Sequence, residues 1–432
     1  VTQTSSARAA AFEAIRRVIE EGAYSTRVIP AVLNASRLDA RDRAMATDLA
    51  YGTLRHLLPI DDVLEHAASR SLRRMSPGVR TALRLGVYQL LATATATHAA
   101  VGETVNLVTP RERGFVNAVL RRVARETTDG FPSVSGETDA DISLRTGLQL
   151  WAVAELRETL SVDAQDEVEQ AAGAFASQAR LCVRAMGQQA GVEQVEIDLR
   201  AAGYEPRRSS LDPSCLLLDG AGDPRRLPGF AQGRLTIQDE ASAVVVSTFL
   251  APQEGERILD VAAAPGGKSC AIAEAVGERG AVVASDLHPA RAALVRQAAE
   301  RLGVHPLIVV QDGATPAVRG GFDRILIDAP CSGIGSARRR PELLWRPNRS
   351  DLPRLAATQL SLVVAAAGLL RPGGRLVYSV CTFPRIETDA VCDEVLRRVP
   401  ELRSLSLPGP DGRGTSERHR LWPHRDGSEG MF

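Results

Sequence analysis

Two cysteines each directly follow a short apolar run that reads as a β-strand: Cys331 in Asp328-Ala-Pro-Cys-Ser-Gly and Cys381 in Tyr378-Ser-Val-Cys-Thr. In a doubly wound sheet the fourth and fifth strands can be neighbours, so both thiols could face one cleft. The chain carries 52 Lys+Arg, and the single lysine among them is Lys268. An ammonium kept where every other cation is a guanidinium points to a task that arginine cannot perform. Lys268 lies in Asp260-Val-Ala262-Ala263-Ala264-Pro265-Gly266-Gly267-Lys268-Ser269, a strand end followed by a loop of small residues.

Such a set suits nucleophilic catalysis on a pyrimidine. Cytosine C5 is a poor nucleophile in the intact ring, but a thiolate adding at C6 makes an enamine whose C5 can attack an activated methyl group. The C5 proton must then leave and the thiol must be expelled. This needs a nucleophile, a group that aids release, and an acid beside N3 and N4. Cys381, Cys331 and Asp328 supply these types, and Lys268 adds positive charge that lowers a nearby thiol pKa or steadies the adduct. The bland reading is that both thiols are core filler, as expected for Cys182, Cys215, Cys270 and Cys392 within their apolar stretches.

Two further strand ends carry carboxylates, Ser285-Asp286 and Gln311-Asp312-Gly313. Asp286 is placed to accept from ribose hydroxyls and Asp312 from an adenine amino group, so the strand ends describe a nucleoside cofactor. A single Asp at such a place is usually a helix cap; four in succession, with Asp260 and Asp328, are harder to dismiss. The rival reading is a Walker A loop, GxxxxGK[ST], whose end Gly267-Lys268-Ser269 matches but whose first Gly is replaced by Ala262. After Cys331, Arg338, Arg339, Arg340, Arg346 and Arg349 surround Trp345. They suit a phosphodiester backbone with base stacking, or else a solvated basic loop.

The elements that must position these groups fall into three parts. Residues 7–126 show apolar three- and four-residue spacing, as in Ala11, Ile15, Val18, Ile19 and in Leu83, Val87, Leu90, Leu91. Breakers lie at Gly22, Pro30, Ser76-Pro77-Gly78 and Thr109-Pro110, which predicts an all-α bundle of five to seven helices. Residues 127–147 are polar and aperiodic and read as a linker. A small helical and α+β module is expected over 148–235. From 236 onward strands at 257–263, 281–285, 307–311, 324–328 and 375–380 alternate with helices at 268–277, 289–302 and 355–370, the pattern of a Rossmann-like α/β domain with ligands at the carboxyl strand ends.

Composition narrows the class. The 432 residues are 44% hydrophobic and 24% charged, with formal net charge zero. Residues 1–126 hold 18 Arg against 12 Asp+Glu, a net +6, so the basic part lies in the bundle and leans toward a polyanionic partner. No window approaches the ~20 apolar residues of a membrane helix. No CxxC pairing suggests a metal site or a disulfide scaffold, and a cytoplasmic, monomeric protein without metal is expected.

Ala-Ala-Pro-Gly-Gly-Lys-Ser, Asp-Ala-Pro-Cys-Ser-Gly, Arg-Arg-Pro-Glu-Leu-Leu-Trp and Tyr-Ser-Val-Cys-Thr together resemble the S-adenosylmethionine-dependent RNA 5-methylcytosine methyltransferases. Gly233-Arg-Leu-Thr-Ile-Gln238-Asp239-Glu240-Ala-Ser242 is similar to the segment that opens their catalytic domain. Tyr51-Gly52-Thr-Leu-Arg55, Leu83-Arg-Leu-Gly86-Val-Tyr88-Gln89 and Gly114-Phe-Val-Asn117-Ala-Val-Leu-Arg121 resemble a NusB-type RNA-binding bundle. Bundle plus catalytic domain is the layout of the bacterial RsmB/Sun (Fmu) family of 16S rRNA methyltransferases.

The resemblance implies that residues 262–268 wrap the methionine part of S-adenosylmethionine, Asp286 holds its ribose, Asp312 lies by the adenine, and Asp328 sits where cofactor and base meet. It further implies Cys381 as nucleophile, Cys331 in product release, and ribosomal RNA as partner. The chain departs from the family pattern at Ala262, where Cys is usual, and in Tyr-Ser-Val-Cys-Thr for Tyr-Ser-Thr-Cys-Ser. The family also adds a final strand after the region of Gly430-Met431-Phe432. Rival readings are the same chemistry on tRNA or 23S rRNA, a P-loop NTPase, and a non-catalytic RNA-binding factor.

Overall fold

The computed structural model of the chain describes residues 6–127, 130–160, 165–220, 222–410, 412 and 414–432, with Gln165 and Gln188 as backbone only. The chain forms two compact units. One runs to Ser177 and also takes in Ala337–Pro347; the other comprises Gln178–Ser336 and Asn348–Phe432.

The first unit is helical: α1 (Ala7–Glu20), α2 (Ser25–Ala35), α3 (Ala40–Arg55), α4 (Leu57–Ala67), α5 (Pro77–Ala92), α6 (Thr97–Val105), α7 (Pro110–Glu126), α8 (Asp139–Thr146), α9 (Leu150–Leu160) and α10 (Gln165–Ala176). Their starts follow local chemistry. Ser76 caps α5 by accepting from the Val79 amide at 3.3 Å, with Pro77 in the first turn, where no amide hydrogen is needed. The apolar stripes meet in one core in which Ile15, Ile29, Leu49, Leu54, Ile60, Leu64, Leu83 and Leu120 are fully buried. Gly52 explains its own motif: a Cβ there would lie 2.0 Å from the Tyr88 ring, so the α3–α5 contact needs glycine opposite tyrosine.

Two expectations about this unit are corrected. Pro30 does not break a helix but lies inside α2, where burial of Val28, Ile29, Val32 and Leu33 outweighs one lost backbone hydrogen bond. The 127–147 stretch is not all linker. Thr138 and Asp141 form a capping box that starts α8, and Gly147 ends it in the left-handed region at φ 78°; residues 128 and 129 lie outside those described. Residues 148–177 join the helical unit through α9 and α10, so the predicted 148–235 module is divided near 177.

The segment 337–347 is the largest departure. Trp345 donates Nε1–H to the Leu54 carbonyl at 2.9 Å and packs against the bundle core. The Arg346 guanidinium donates to the carbonyls of Val18 (2.8 Å), Ala23 (2.9 Å) and Gly22 (3.1 Å), where α1 ends and its dipole is negative. Glu342, fully buried, accepts from the Ser25 amide at the start of α2 (3.1 Å), where the dipole is positive. Trp345 and Arg346, expected on RNA, are thus engaged by the bundle's own main chain. Arg338, Arg339 and Arg340 are half-buried in the same unit, and the Arg338 carbonyl accepts from Arg55 at 2.9 Å.

In the second unit, β1 (Leu181–Ala185), α11 (Gln188–Ala201), β2 (Arg207–Arg208), β3 (Cys215–Leu218) and β4 (Leu235–Ile237) make a small antiparallel sheet of order β2-β3-β1-β4. It leads into α12 (Glu240–Val244), continued as a π-helix to Leu250. Then come β5 (Arg257–Asp260), α13 (Gly267–Val276), β6 (Ala281–Asp286), α14 (Pro289–Leu302), β7 (Leu307–Val310), β8 (Phe322–Asp328), α15 (Leu352–Ala367), β9 (Leu370–Ser379) and α16 (Asp389–Arg398). The five strands form a parallel sheet of order β7-β6-β5-β8-β9, as the alternation predicts. Its faces bury separate clusters, around Ile258, Ile272 and Leu326 on one side and Leu259, Ile325, Ile327 and Val363 on the other. Arg184 of β1, 5% exposed, ties the small sheet to this fold through Gln238 (2.9 Å) and Glu274 of α13 (2.7 Å).

If Trp345 and Arg346 are structural, Trp345→Ala should cost about 2–3 kcal/mol and Arg346→Ala about 1–2 kcal/mol. Each loss should appear in thermal denaturation of the chain. Unchanged melting with weakened RNA affinity in both variants would return these residues to an RNA-contacting role.

Candidate active site

The site is assembled at the carboxyl ends of β5, β6, β8 and β9. β8 and β9 pair in parallel with Asp328 opposite Ser379, so the residues that follow each strand emerge side by side. Cys331 Sγ and Cys381 Sγ are 3.4 Å apart. The adjacency that the two motifs suggested is therefore present. The other thiols are placed as filler: Cys182, Cys215 and Cys270 are fully buried and Cys392 is half-buried on α16. Burial pushes Cys270 and Cys392 each up to about 11.

Lys268, in the first turn of α13, reaches across β5 to β8. Its Nζ donates to Asp328 Oδ2 at 2.7 Å and to Ser242 Oγ at 3.3 Å, while Ser379 Oγ donates to the other Asp328 oxygen at 3.2 Å. Burial would lower the ammonium's pKa. Asp328 and negative charge on Cys381 outweigh this and hold it above the ordinary lysine value. Cys331 is held well above the ordinary thiol value, first by its hydrogen bond to the Cys381 sulfur and then by burial. Cys331 is thus held toward the neutral thiol, and Lys268 lies close enough for negative charge on Cys381 to act on it.

The loop 261–266 turns between β5 and α13 through Gly266 at φ 110°, a conformation that L side chains avoid; a Cβ there would also press on Val295 at 3.0 Å. Asp286, 4% exposed at the end of β6, lies 3.4 Å from the Ala264 amide and accepts from the His288 amide and the Arg291 guanidinium at 3.1 Å each. Asp312 is exposed and caps the turn to Ala314 at 2.9 Å, the bland role such a residue usually has. Gln238 was visible in the sequence only as part of an opening motif. Its Nε2 is buried without a partner among the described residues, and its amide group would lie 3.7 to 3.9 Å from a Cβ on Gly267.

An open glycine turn, a helix N-terminus, an unsatisfied amide donor beside it and a carboxylate at the next strand end fit a cofactor with an amino-acid carboxylate and a ribose. Residues 262–268 and Gln238 would hold the former and Asp286 the latter. Lys268 is paired with Asp328, which leaves it unlike the free lysine of a triphosphate loop. A cavity of about 1140 Å³ in this unit lies elsewhere, along the open edge of β9 beside Phe249, Tyr378 and Phe432, and neither paired thiol lines it. Among the described residues no group of three or more His, Cys, Asp or Glu could hold a metal, and no helix is long and apolar enough to cross a membrane.

Fold and site define a Rossmann-like methyltransferase domain whose cofactor is a nucleoside. Residues 247–432 match the family model of 16S rRNA methyltransferase RsmB/F, and residues 5–125 match the NusB family. A Mycobacterium tuberculosis H37Rv protein named as a methyltransferase is 36% identical over 99% of this chain and 95% of its own length. Ribosomal RNA small subunit methyltransferase B of Vibrio cholerae is 33% identical over 98% of this chain and 96% of its own. The crystal structure of PH0851 superposes with a TM-score of 0.82 at 25% identity, covering 100% of this chain and 98% of that one. The chain belongs to the RsmB/F family of rRNA methyltransferases, whose cofactor is S-adenosylmethionine. The P-loop reading falls with that result.

Asp260, fully enclosed at the end of β5, supplies a prediction. Burial pushes its carboxyl up to about 7, although Ser269 Oγ donates to it at 2.6 Å. Because the folded pKa lies above the unfolded one, the folded chain binds the extra proton. The contribution of Asp260 to stability is therefore greatest at acid pH and is lost as pH rises toward 7. Asp260→Asn should remove that loss, gaining about 2 kcal/mol over the parent between pH 5 and pH 8. Denaturation at the two pH values checks this; a pH-independent difference would contradict it.

Proposed function

We propose that this chain methylates C5 of a cytosine in 16S rRNA through a covalent bond between Cys381 and C6. The observation that carries this reading is the pair of thiols 3.4 Å apart beside the Lys268–Asp328 ion pair. Methylation at C5 needs a nucleophile that departs again, and so needs a second group to help it leave. A methyl acceptor that is already nucleophilic, such as a ring nitrogen or a hydroxyl, would need neither thiol.

S-adenosylmethionine, when bound, supplies the electrophilic methyl group. The Cys381 thiolate adds to C6, forming the S–C6 bond and raising electron density at C5. Lys268 offsets negative charge beside that sulfur, and Asp328 lies at the N3–N4 edge of the base. Once C5 carries the methyl group, the C5–H bond breaks, the proton passes to a base, and the electron pair expels Cys381 as the S–C6 bond breaks. Cys331, a neutral thiol held against Cys381, assists this second half. The helical unit, with its net +6 over residues 1–126, supports the reading by giving the RNA an electrostatic partner. Names of relatives such as the Vibrio cholerae enzyme support the small-subunit substrate.

Bisulfite sequencing of rRNA and tRNA from cells with and without the gene tests the substrate. Loss of one 16S cytosine signal is expected. Loss confined to tRNA or 23S rRNA would move the substrate, and no change would overturn the enzymatic reading. For the mechanism, Cys381→Ala should abolish turnover while keeping cofactor affinity within about threefold. Cys331→Ala should accumulate a covalent RNA adduct seen as a slow band on a denaturing gel. Lys268→Arg should also fail, because a guanidinium neither fits beside Ser242 nor reproduces the point charge.

A further inference from the structure

A second set of side chains surrounds Cys331 without belonging to the proposed chemistry. Glu387, fully buried after β9, accepts from the Ser332 amide at 2.9 Å and from Ser332 Oγ at 2.5 Å. It also accepts from Gln359 Nε2 at 3.0 Å. Gln359, fully buried on α15, uses the same nitrogen to donate to the Pro330 carbonyl at 3.0 Å. Ser332 Oγ lies 2.6 Å from Thr382 Oγ1, and Tyr378 donates its hydroxyl to the Glu387 carbonyl at 2.6 Å. Cys331 is therefore held by both chain neighbours, Pro330 through Gln359 and Ser332 through Glu387. Thr382, the residue after Cys381, joins the same network.

We infer that Glu387 and Gln359 form a positioning pair that aims Cys331 at Cys381, and that this pair serves release of the methylated product rather than methyl transfer. The inference rests on the role proposed above for Cys331. A buried carboxylate is costly unless its oxygens are satisfied, and an apolar side chain would fill the same volume without that cost. Fixing the residues before and after a cysteine fixes the direction of its Cα–Cβ bond, and displacements near 1 Å change rates about a hundredfold. Three hydrogen bonds of the pair go to the residues flanking Cys331, from the Ser332 amide and hydroxyl and to the Pro330 carbonyl, whereas the contact to Thr382 beside Cys381 is made by Ser332 and not by the pair. Loosening the pair should therefore disturb Cys331 more than the nucleophile.

The test uses the full chain and a target RNA, measuring single-turnover methyl transfer, the lifetime of the covalent adduct and thermal stability. Glu387→Gln keeps the shape but places an amide where at least one donor must lose its acceptor. Gln359→Met keeps the volume and removes the donor to Pro330, and it stands in should the first variant fail to fold. Both should lengthen the adduct's lifetime about tenfold or more while methyl transfer stays within about threefold of the parent. Unchanged adduct lifetime in both variants, or methyl transfer and release slowed in the same proportion, overturns the positioning role. An adduct that accumulates in Cys331→Ala but in neither variant sinks this inference alone. No adduct in Cys331→Ala sinks the mechanistic reading and this inference with it.

Discussion

Parallel pairing of β8 with β9, with Asp328 opposite Ser379, is the constraint on which the site depends. In a parallel pair both chains leave the sheet at the same end, so short extensions, to Cys331 beyond Asp328 and to Cys381 beyond Ser379, bring the two thiols together at 3.4 Å. Pairing β9 one residue out of register would turn each side chain to the opposite face and separate the thiols. The apolar faces of both strands, with Ile325, Ile327, Leu376 and Tyr378 on one core and Leu326 and Val377 on the other, oppose that slip.

Around this pair the charges are arranged so that the Lys268 ammonium faces the sulfurs while Cys331 is held toward the neutral thiol. Lys268 reaches Asp328 from the neighbouring strand–helix unit, which places the chain's one ammonium between the cofactor loop and the paired thiols. Asp260, one strand away and fully buried, is pushed toward the neutral acid, because burial outweighs its hydrogen bond from Ser269 and the charge of Lys268. The carboxylates at neighbouring strand ends thus differ in character through environment alone. The same fold that buries Asp260 leaves Asp328 its partner.

The helical unit incorporates a piece of chain from the middle of the catalytic sequence. Glu342 and Arg346 meet opposite ends of helix dipoles, and Trp345 adds its ring to the bundle core. The chain thus leaves the catalytic unit after Ser336 and returns to it at Asn348. A basic aromatic segment that resembles a nucleic-acid contact is used, in part, as internal architecture.

Much of this was legible in sequence because it is local. Strand–helix alternation follows from hydrophobic period and turn residues, caps from Ser76-Pro77 and Thr109-Pro110, and the chemical candidates from rare residues at strand ends, Lys268 and the two cysteines. Tertiary structure alone decided the rest, because it turns on contacts between residues far apart in the chain. Trp345 against Leu54, Glu387 on Ser332 and Gln359 on Pro330 span 291, 55 and 29 positions. Nothing in spacing distinguishes a buried Glu that holds a loop from an exposed one that faces water, and an Arg bound to three carbonyls looks in sequence like an Arg meant for phosphate. Residue type and period determine which elements form and which groups could react; only packing determines which of those groups are left to do so.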